Sequence, residues 1–468
     1  MVFSSITFLF YFLPIFFGIY YFTSYKNLTL LLGSIVFYAW GEPRFVPLLL
    51  ASATLNYVFG ALVFRAAGRM KWWILVAGVA LNLLVLIYFK YTGFLLSAFN
   101  DLIGPHRSPL PVPEILLPLG ISFWTFQGIS YLIDVYRGVI PAQSSFVNFA
   151  MYKAMFPQLI AGPIVRYQQV AREISSRHIG NADVMSGLAQ FLVGLAQKVL
   201  ISNTVAISAD RIFGLESAGL SPGLAWWGIV AYSIQIFYDF AGYSNMAIGL
   251  GRMLGFQYPI NFAQPYSSLS ITEFWRRWHI SLSSWFRDYL YIPLGGSRVG
   301  PWRIYFNLSL VFLLCGLWHG AAWTFVVWGA WHGLLLVIER AGGSNLLARL
   351  PSVICRVYTL LAVMLGWVFF RADTVPHAVS YLAVMFGASS GTAAPWQMYV
   401  PHTAVVAIVI GAGLALFRRD QWPGAIQQRM LDAQWLKALA VPTLAILFMV
   451  SVASLAAGTY NPFIYFRF

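Results

Sequence analysis

Three histidines stand where an ionisable ring is expensive and therefore suggests function before structure. His319 and His332 each sit in a Trp-His-Gly triplet, Trp318-His319-Gly320 and Trp331-His332-Gly333, inside the apolar run Leu317–Ala341, long enough to cross a membrane. His279 lies upstream in Phe274-Trp275-Arg276-Arg277-Trp278-His279-Ile280-Ser281-Leu282-Ser283. An imidazole with an ordinary pKa near 6.5 can take a proton from a hydroxyl at neutral pH, and apolar surroundings such as Trp318 favour its neutral form. His319 has no charged residue within ten positions on either side. His332 follows thirteen residues later, about 220° around and roughly 20 Å along an unbroken helix, so the two cannot share one site unless the helix breaks. Gly329 and Gly333 beside His332 point to close helix packing and a structural role for that ring.

The segment carrying His279 opens with Ser270-Ile271-Thr272-Glu273, which fits a capping box. Steps of three and four from there put Thr272, Arg276, His279, Ser283 and Arg287 on one polar stripe of an amphipathic helix, ended by Pro293-Leu294-Gly295-Gly296. The basic stripe suits an anionic ligand; a ring bonded to a backbone carbonyl is the plain alternative for His279. Asp239, in Tyr238-Asp239-Phe240-Ala241-Gly242, is an intramembrane carboxylate that could orient a histidine, pair with an arginine at the site, or form a structural ion pair. Cys315, one turn before His319, reads as a small packing residue.

The elements holding these residues must be membrane helices. The chain has 468 residues, 59% of them hydrophobic and only 9% charged, and its mean hydropathy is +0.72. No soluble fold of this length carries such a composition. Apolar stretches recur near 4–22, 28–40, 46–64, 72–91, 115–133, 148–163, 186–210, 224–251, 304–318, 321–338, 354–370, 402–417 and 438–457. About 20 residues per span predicts roughly 11 crossings, with the shorter runs re-entrant or interfacial. The first reads as an uncleaved helix. Segments Arg166–Asn181 and Ser267–Arg303 are too polar to span. No polar linker or repeat divides the sequence, which predicts one membrane domain over residues 1–468.

The net charge of +14 is scattered through short loops, which is the positive-inside pattern and not a nucleic-acid surface. Lys26 and the group Arg65, Arg69 and Lys71 would be cytoplasmic with the N-terminus outside. Both cysteines lie in apolar runs, which excludes a disulfide framework and zinc spacing.

The chain resembles the membrane-bound O-acyltransferases along its whole length. The motifs are the two histidine segments, Met1-Val2-Phe3-Ser4-Ser5, Tyr88-Phe89-Lys90-Tyr91, Pro118-Leu119-Gly120-Ile121-Ser122-Phe123, Ala161-Gly162-Pro163 and Phe463-Ile464-Tyr465-Phe466-Arg467-Phe468. It is most similar to the bacterial branch that O-acetylates exported polysaccharide of the alginate or cellulose type. The resemblance implies an all-α polytopic bundle around a funnel or tunnel in the bacterial inner membrane. It implies acetyl-coenzyme A as cytoplasmic donor, no metal or permanently bound cofactor, and a periplasmic SGNH-type partner within an exopolysaccharide synthesis and export complex. His319 matches the family's essential histidine and His279 its second. Arg276, Trp318, Asp239 and Ser283 become candidates for holding donor or substrate. The expected division of labour makes His319 the base and leaves His279, with Arg276, to polarise the thioester carbonyl or steady coenzyme phosphates.

The terminal motif resembles that of small partner peptides in a related D-alanylation system. Tyr465 is therefore a candidate acetyl relay or, on composition alone, an interfacial anchor. Three positions depart from the branch: Cys315 where glycine is expected, Ala241 for serine and Asn245 for aspartate. The chain is short for the alginate type, which leans toward cellulose. The competing class is a polysaccharide or lipid transporter, which would share the helices but not the histidine motifs.

Overall fold

A helix needs about 20 residues, at 1.5 Å each, to cross roughly 30 Å of hydrocarbon. In the computed structural model, six helical stretches among the described residues are long and apolar enough: Pro43–Arg65, Gly68–Ile103, Asn181–Phe213, Pro301–His319, Ser352–Arg371 and Leu439–Ala456. The structure describes residues 1–104, 108–216, 219–388, 394–416, 434–458 and 460–462, and among these it is helical with no strand. This is a multi-pass membrane protein. Several apolar stretches form shorter helices: those near 28–40 and 115–133 become the 16-residue α1 (Lys26–Gly41) and α2 (Ile121–Tyr136).

The chain packs as two compact units, Met1–Gly187 with Ala247–Pro259, and Leu188–Met246 with Ile260–Phe468. In the first, α2 packs against Val46–Arg65 and Gly68–Leu86 and is buried on almost every side. Its Ser122, Thr125, Gln127, Ser130 and Asp134 therefore face protein. The two helices beside it are joined by a reciprocal amide pair, Asn56 with Asn82, at 3.0 Å in each direction. Such a pair satisfies both side chains where water is absent.

The second unit holds His279 between α3 (Ile271–Arg277) and α4 (Ile280–Phe286), His319 at the end of α5 (Pro301–His319) and His332 on α6 (Trp323–Ile338), with α7 (Ser352–Arg371) packed against α6. The run Leu317–Ala341 is not one continuous helix. It breaks at Gly320, where the ring of Phe325 comes within 2.1 Å of where a Cβ would sit, and the chain turns back so that α5 and α6 form a hairpin. Glycines let the two backbones meet: a Cβ on Gly316 would lie 2.3 Å from the Phe325 carbonyl oxygen, and one on Gly329 2.4 Å from that of Phe312. Backbone cannot yield as a side chain tip can. Gly329→Ala should therefore cost about 1–3 kcal/mol, read as a lowered Tm in detergent. Gly333→Ala, whose nearest neighbour is at 3.4 Å, should be close to neutral; equal effects at the two positions would sink this account.

Candidate active site

Ser270 caps α3 as its sequence implies, its Oγ accepting from the Glu273 N–H at 3.0 Å. The returning bond is displaced by one residue, with Glu273 accepting from the Leu269 N–H at 2.8 Å. The expected single amphipathic helix does not form, because α3 stops at Trp278 and α4 begins after His279. His279 adopts the left-handed conformation, φ 42° and ψ 54°, which costs a non-glycine residue on the order of 1 kcal/mol and persists only when its surroundings enforce it. Those surroundings are the loop 261–263. The Ala263 N–H donates to the Arg277 carbonyl at 3.0 Å, and the Asn261 carbonyl accepts from the Ile280 N–H at 2.9 Å. The loop thus takes over backbone groups that a continuous helix would have paired internally.

The break dissolves the basic stripe. His279 is wholly buried while Arg276 is exposed, so the two do not share a face as the helical spacing implied. Arg287, also exposed, pairs with its neighbour Asp288 at 2.7 Å. Ser283 is half-buried, its hydroxyl 3.4 Å from the Trp278 carbonyl.

What the break achieves is to bring His279 to His319. The two ring centroids are 6.4 Å apart at an interplanar angle of 64°. Trp318 stands edge-on to both, at 5.9 Å from His279 and 5.0 Å from His319. Phe240 closes on His279 at 4.6 Å, and Trp328 and Phe370 close on His319 at 5.1 and 5.2 Å. Two imidazoles thus share one aromatic enclosure, His319 as the last residue of α5.

The tautomer of His279 follows from its partners. Asn261 Oδ1 accepts from the Ser281 backbone N–H at 3.3 Å and from the Ser281 hydroxyl at 2.9 Å, while its Nδ2 donates to Ser244 at 3.1 Å. That backbone donor fixes which end of the amide is oxygen. His279 Nδ1, 3.2 Å from the same oxygen, must then carry the proton, leaving Nε2 with a lone pair and no hydrogen-bond partner among the described residues. Burial first, then the neighbouring His319, push this imidazole well below its ordinary 6.5. It is neutral at neutral pH and presents an acceptor.

The comparisons with known proteins decide the class. The model of the MBOAT, membrane-bound O-acyltransferase family, matches residues 139–346. Proteins described as probable alginate O-acetylase AlgI are 42% identical to this chain, in Pseudomonas putida and in Azotobacter vinelandii, with all of both chains covered in each case. A peptidoglycan O-acetyltransferase of Helicobacter pylori is 37% identical over 83% of this chain and 80% of its own.

The chain belongs to the membrane-bound O-acyltransferase family. It is an O-acetyltransferase, and the transporter alternative lapses. Asp239 of this acyltransferase is buried in an ion pair with Lys198, Nζ to Oδ1 2.5 Å. The same ammonium donates to Asn203 Oδ1 at 2.8 Å and to the carbonyl of Pro462. Asn245, one of the departures from the branch, donates to Gln197 at 2.8 Å. Tyr465 lies outside the described residues. Cys315 and Cys355 are both free and buried.

Two supports of the histidine site carry no clear sequence signal. Glu339, buried one residue past α6, accepts from the Ile271 N–H at 2.7 Å and from the N–H and hydroxyl of Thr272 at 2.9 and 2.6 Å. It is a second cap on α3, donated from another helix. Two turns earlier on α6, His332 Nδ1 accepts from the Trp275 indole N–H at 3.3 Å. His332 thus ties α6 to α3 through Trp275, and α6 grips α3 at two heights. A carboxylate closing an apolar helix was the only available signal for Glu339; nothing in the pattern linked it to Ser270.

Proposed function

We propose that this acetyltransferase takes acetyl groups from cytoplasmic acetyl-coenzyme A and passes them across the bacterial inner membrane for O-acetylation of an exported polysaccharide, with a periplasmic SGNH-type partner completing the transfer. The observation that carries this reading is the meeting of His279 and His319 in one aromatic enclosure, in a chain whose full-length relatives are described as O-acetylases. An acceptor of the alginate class is favoured, since those relatives match over their entire length, in place of the lean toward cellulose.

Transfer needs a base. As the acceptor hydroxyl attacks the thioester carbonyl carbon, its proton passes to an imidazole; the tetrahedral intermediate collapses with cleavage of the carbon–sulfur bond, and the proton returns to the departing thiolate. His319 is the base in this scheme. A neutral His279 whose Nδ1–H is committed to Asn261 offers the Nε2 lone pair and has no free N–H for the carbonyl, so we assign it to a relay in which Nε2 takes up the proton transiently and releases it from the same atom. In this scheme the adjacency of the two rings gives the proton a second acceptor.

Coenzyme A is multiply charged and cannot follow its acetyl group through lipid, so a group inside the protein must receive it. Tyr465 is our candidate relay. In support, the segment leading to it is tied into the second unit, Tyr460 to Asp210 at 3.1 Å, Asn461 to Asn203 at 3.1 Å and Pro462 to Lys198. The test is release of coenzyme A from acetyl-coenzyme A by purified enzyme in detergent with its partner, followed by mass analysis of the C-terminal peptide. The expected result is histidine-dependent release and an acetyl group on Tyr465. A turning-over complex with an unmodified tail would end the relay, and donor binding without any release in the presence of acceptor and partner would end the reading itself.

A further inference from the structure

The polar stretch around Arg177, too hydrophilic to span, takes no part in the histidine site. It lines an open cavity of about 470 Å³ in the first unit, together with Lys26, Asn27, Ser145, Asn148 and Ser176. No acidic side chain lines it among the described residues. Arg177 is half-buried and held by neutral groups: its Nε donates to the Tyr20 hydroxyl at 3.0 Å, its Nη1 to Asn27 Oδ1 at 2.6 Å and to the Glu173 carbonyl at 3.1 Å. The guanidinium also lies 4.6 Å from the ring centre of Phe256. Its Nη2 is buried and has no hydrogen-bond partner among the described residues. Lys26 donates to the carbonyls of Tyr20 and Thr23 at 3.0 and 3.3 Å.

Neither cation has a carboxylate partner among the described residues. Two positive charges, oriented by neutral groups at the mouth of a polar cavity, leave their charge uncompensated. The cavity also receives the N-terminus of α1, whose N-cap Tyr25 supplies no side-chain bond, so its first amide groups add partial positive charge. The positive-inside reading places Lys26 on the cytoplasmic side. The volume exceeds what a bare phosphate needs and falls in the range that accommodates the group bearing it.

We propose that this pocket binds a phosphate ester, with its oxygens on Arg177, Lys26 and the first amides of α1. Two sources present that chemistry on the cytoplasmic side: the headgroup of an anionic phospholipid, and the phosphates of a nucleotide-bearing thioester. The second source rests on the donor proposed above; the site does not.

The experiment uses the full-length enzyme in detergent and has two arms. One measures retention of phosphatidylglycerol against phosphatidylcholine by native mass spectrometry. The other measures equilibrium binding of coenzyme A against dephospho-coenzyme A. Arg177→Gln should weaken binding about tenfold or more in at least one arm, the loss of a charge-assisted bond, and Arg177→Lys should restore part of it. Loss in the lipid arm alone identifies a headgroup, loss in the nucleotide arm alone identifies the donor, and no loss in either with a monodisperse Arg177→Gln protein overturns the proposal. Should that variant fail to fold, inorganic pyrophosphate must displace phosphatidylglycerol or coenzyme A from wild type and Lys26→Gln must weaken binding of the same probe; failure of either overturns the proposal equally. His319→Ala should keep both binding arms intact, so failure of the catalytic reading would show in turnover and not here.

Discussion

His319→Ala is expected to lower coenzyme A release by about 10²–10⁴-fold while leaving acetyl-coenzyme A bound, because a general base contributes about that factor to a step in which a proton must leave the attacking hydroxyl. The ring ends α5 and is enclosed by Trp318, Trp328, Phe370 and His279 at centroid distances of 5.0 to 6.4 Å. Its removal also leaves an apolar hole, whose contribution must be separated from the chemistry. His319→Gln fills much of the hole and restores a polar group without an effective base, so it should be as inactive as the alanine variant and more stable. A glutamine variant with activity near wild type would show that the ring holds the enclosure together and takes no proton. His279→Ala is expected to lose less than His319→Ala if it relays the proton, and equally if the pair acts as one unit.

The second large effect is expected at Glu339, which touches neither histidine. Its carboxylate serves three donors at the start of α3, and α3 ends at the strained joint that presents His279. Glu339→Ala orphans the buried Ile271 amide, worth about 1–3 kcal/mol when left without a partner, and the part-buried amide and hydroxyl of Thr272, worth less. The expected outcome is a lowered Tm and a turnover reduced about 10²-fold, the scale associated with misplacing a reacting group by roughly 1 Å, with donor affinity unchanged. Glu339→Gln keeps one acceptor oxygen and should fall between. A purely structural residue would lower stability and leave turnover per folded molecule intact, so a normal rate in the surviving folded fraction would refute the positioning role.

How much of this was legible can be traced through particular residues. The membrane class, the cap at Ser270 and the stop before Pro293 follow from composition and local chemistry, and all three appear. The histidine motifs single out two rings that the fold brings together, because an imidazole in apolar sequence is conspicuous whatever the fold. The joint at His279 was not legible. Trp-His-Ile reads as helix, and the loop that breaks it, 261–263, lies about 18 residues upstream and acts through backbone groups, which carry no sequence signature. Arg276 was misplaced for that reason, since one residue in the left-handed region destroys the three- and four-residue spacing beyond it. Glu339 was missed because its partners are the N–H groups of a helix 67 and 68 residues earlier in the chain. The turn at Gly320 was half legible: the apolar stretches 304–318 and 321–338 stop on either side of it, yet Leu317–Ala341 still reads as one membrane-length run because Gly-Ala-Ala barely lowers the hydropathy.

The left-handed joint gives position 279 two jobs that ordinary mutagenesis would confound. Among residues with a Cβ, histidine, asparagine and aspartate enter this region most readily, whereas the isoleucine that follows would be a severe outlier there. The residue proposed to move the proton is therefore also one able to act as the elbow. His279→Asn keeps the elbow and discards the imidazole, whereas His279→Ala discards the imidazole and leaves the elbow strained. The difference between those two variants, not the loss in either, measures what the backbone alone contributes to holding the enclosure in shape.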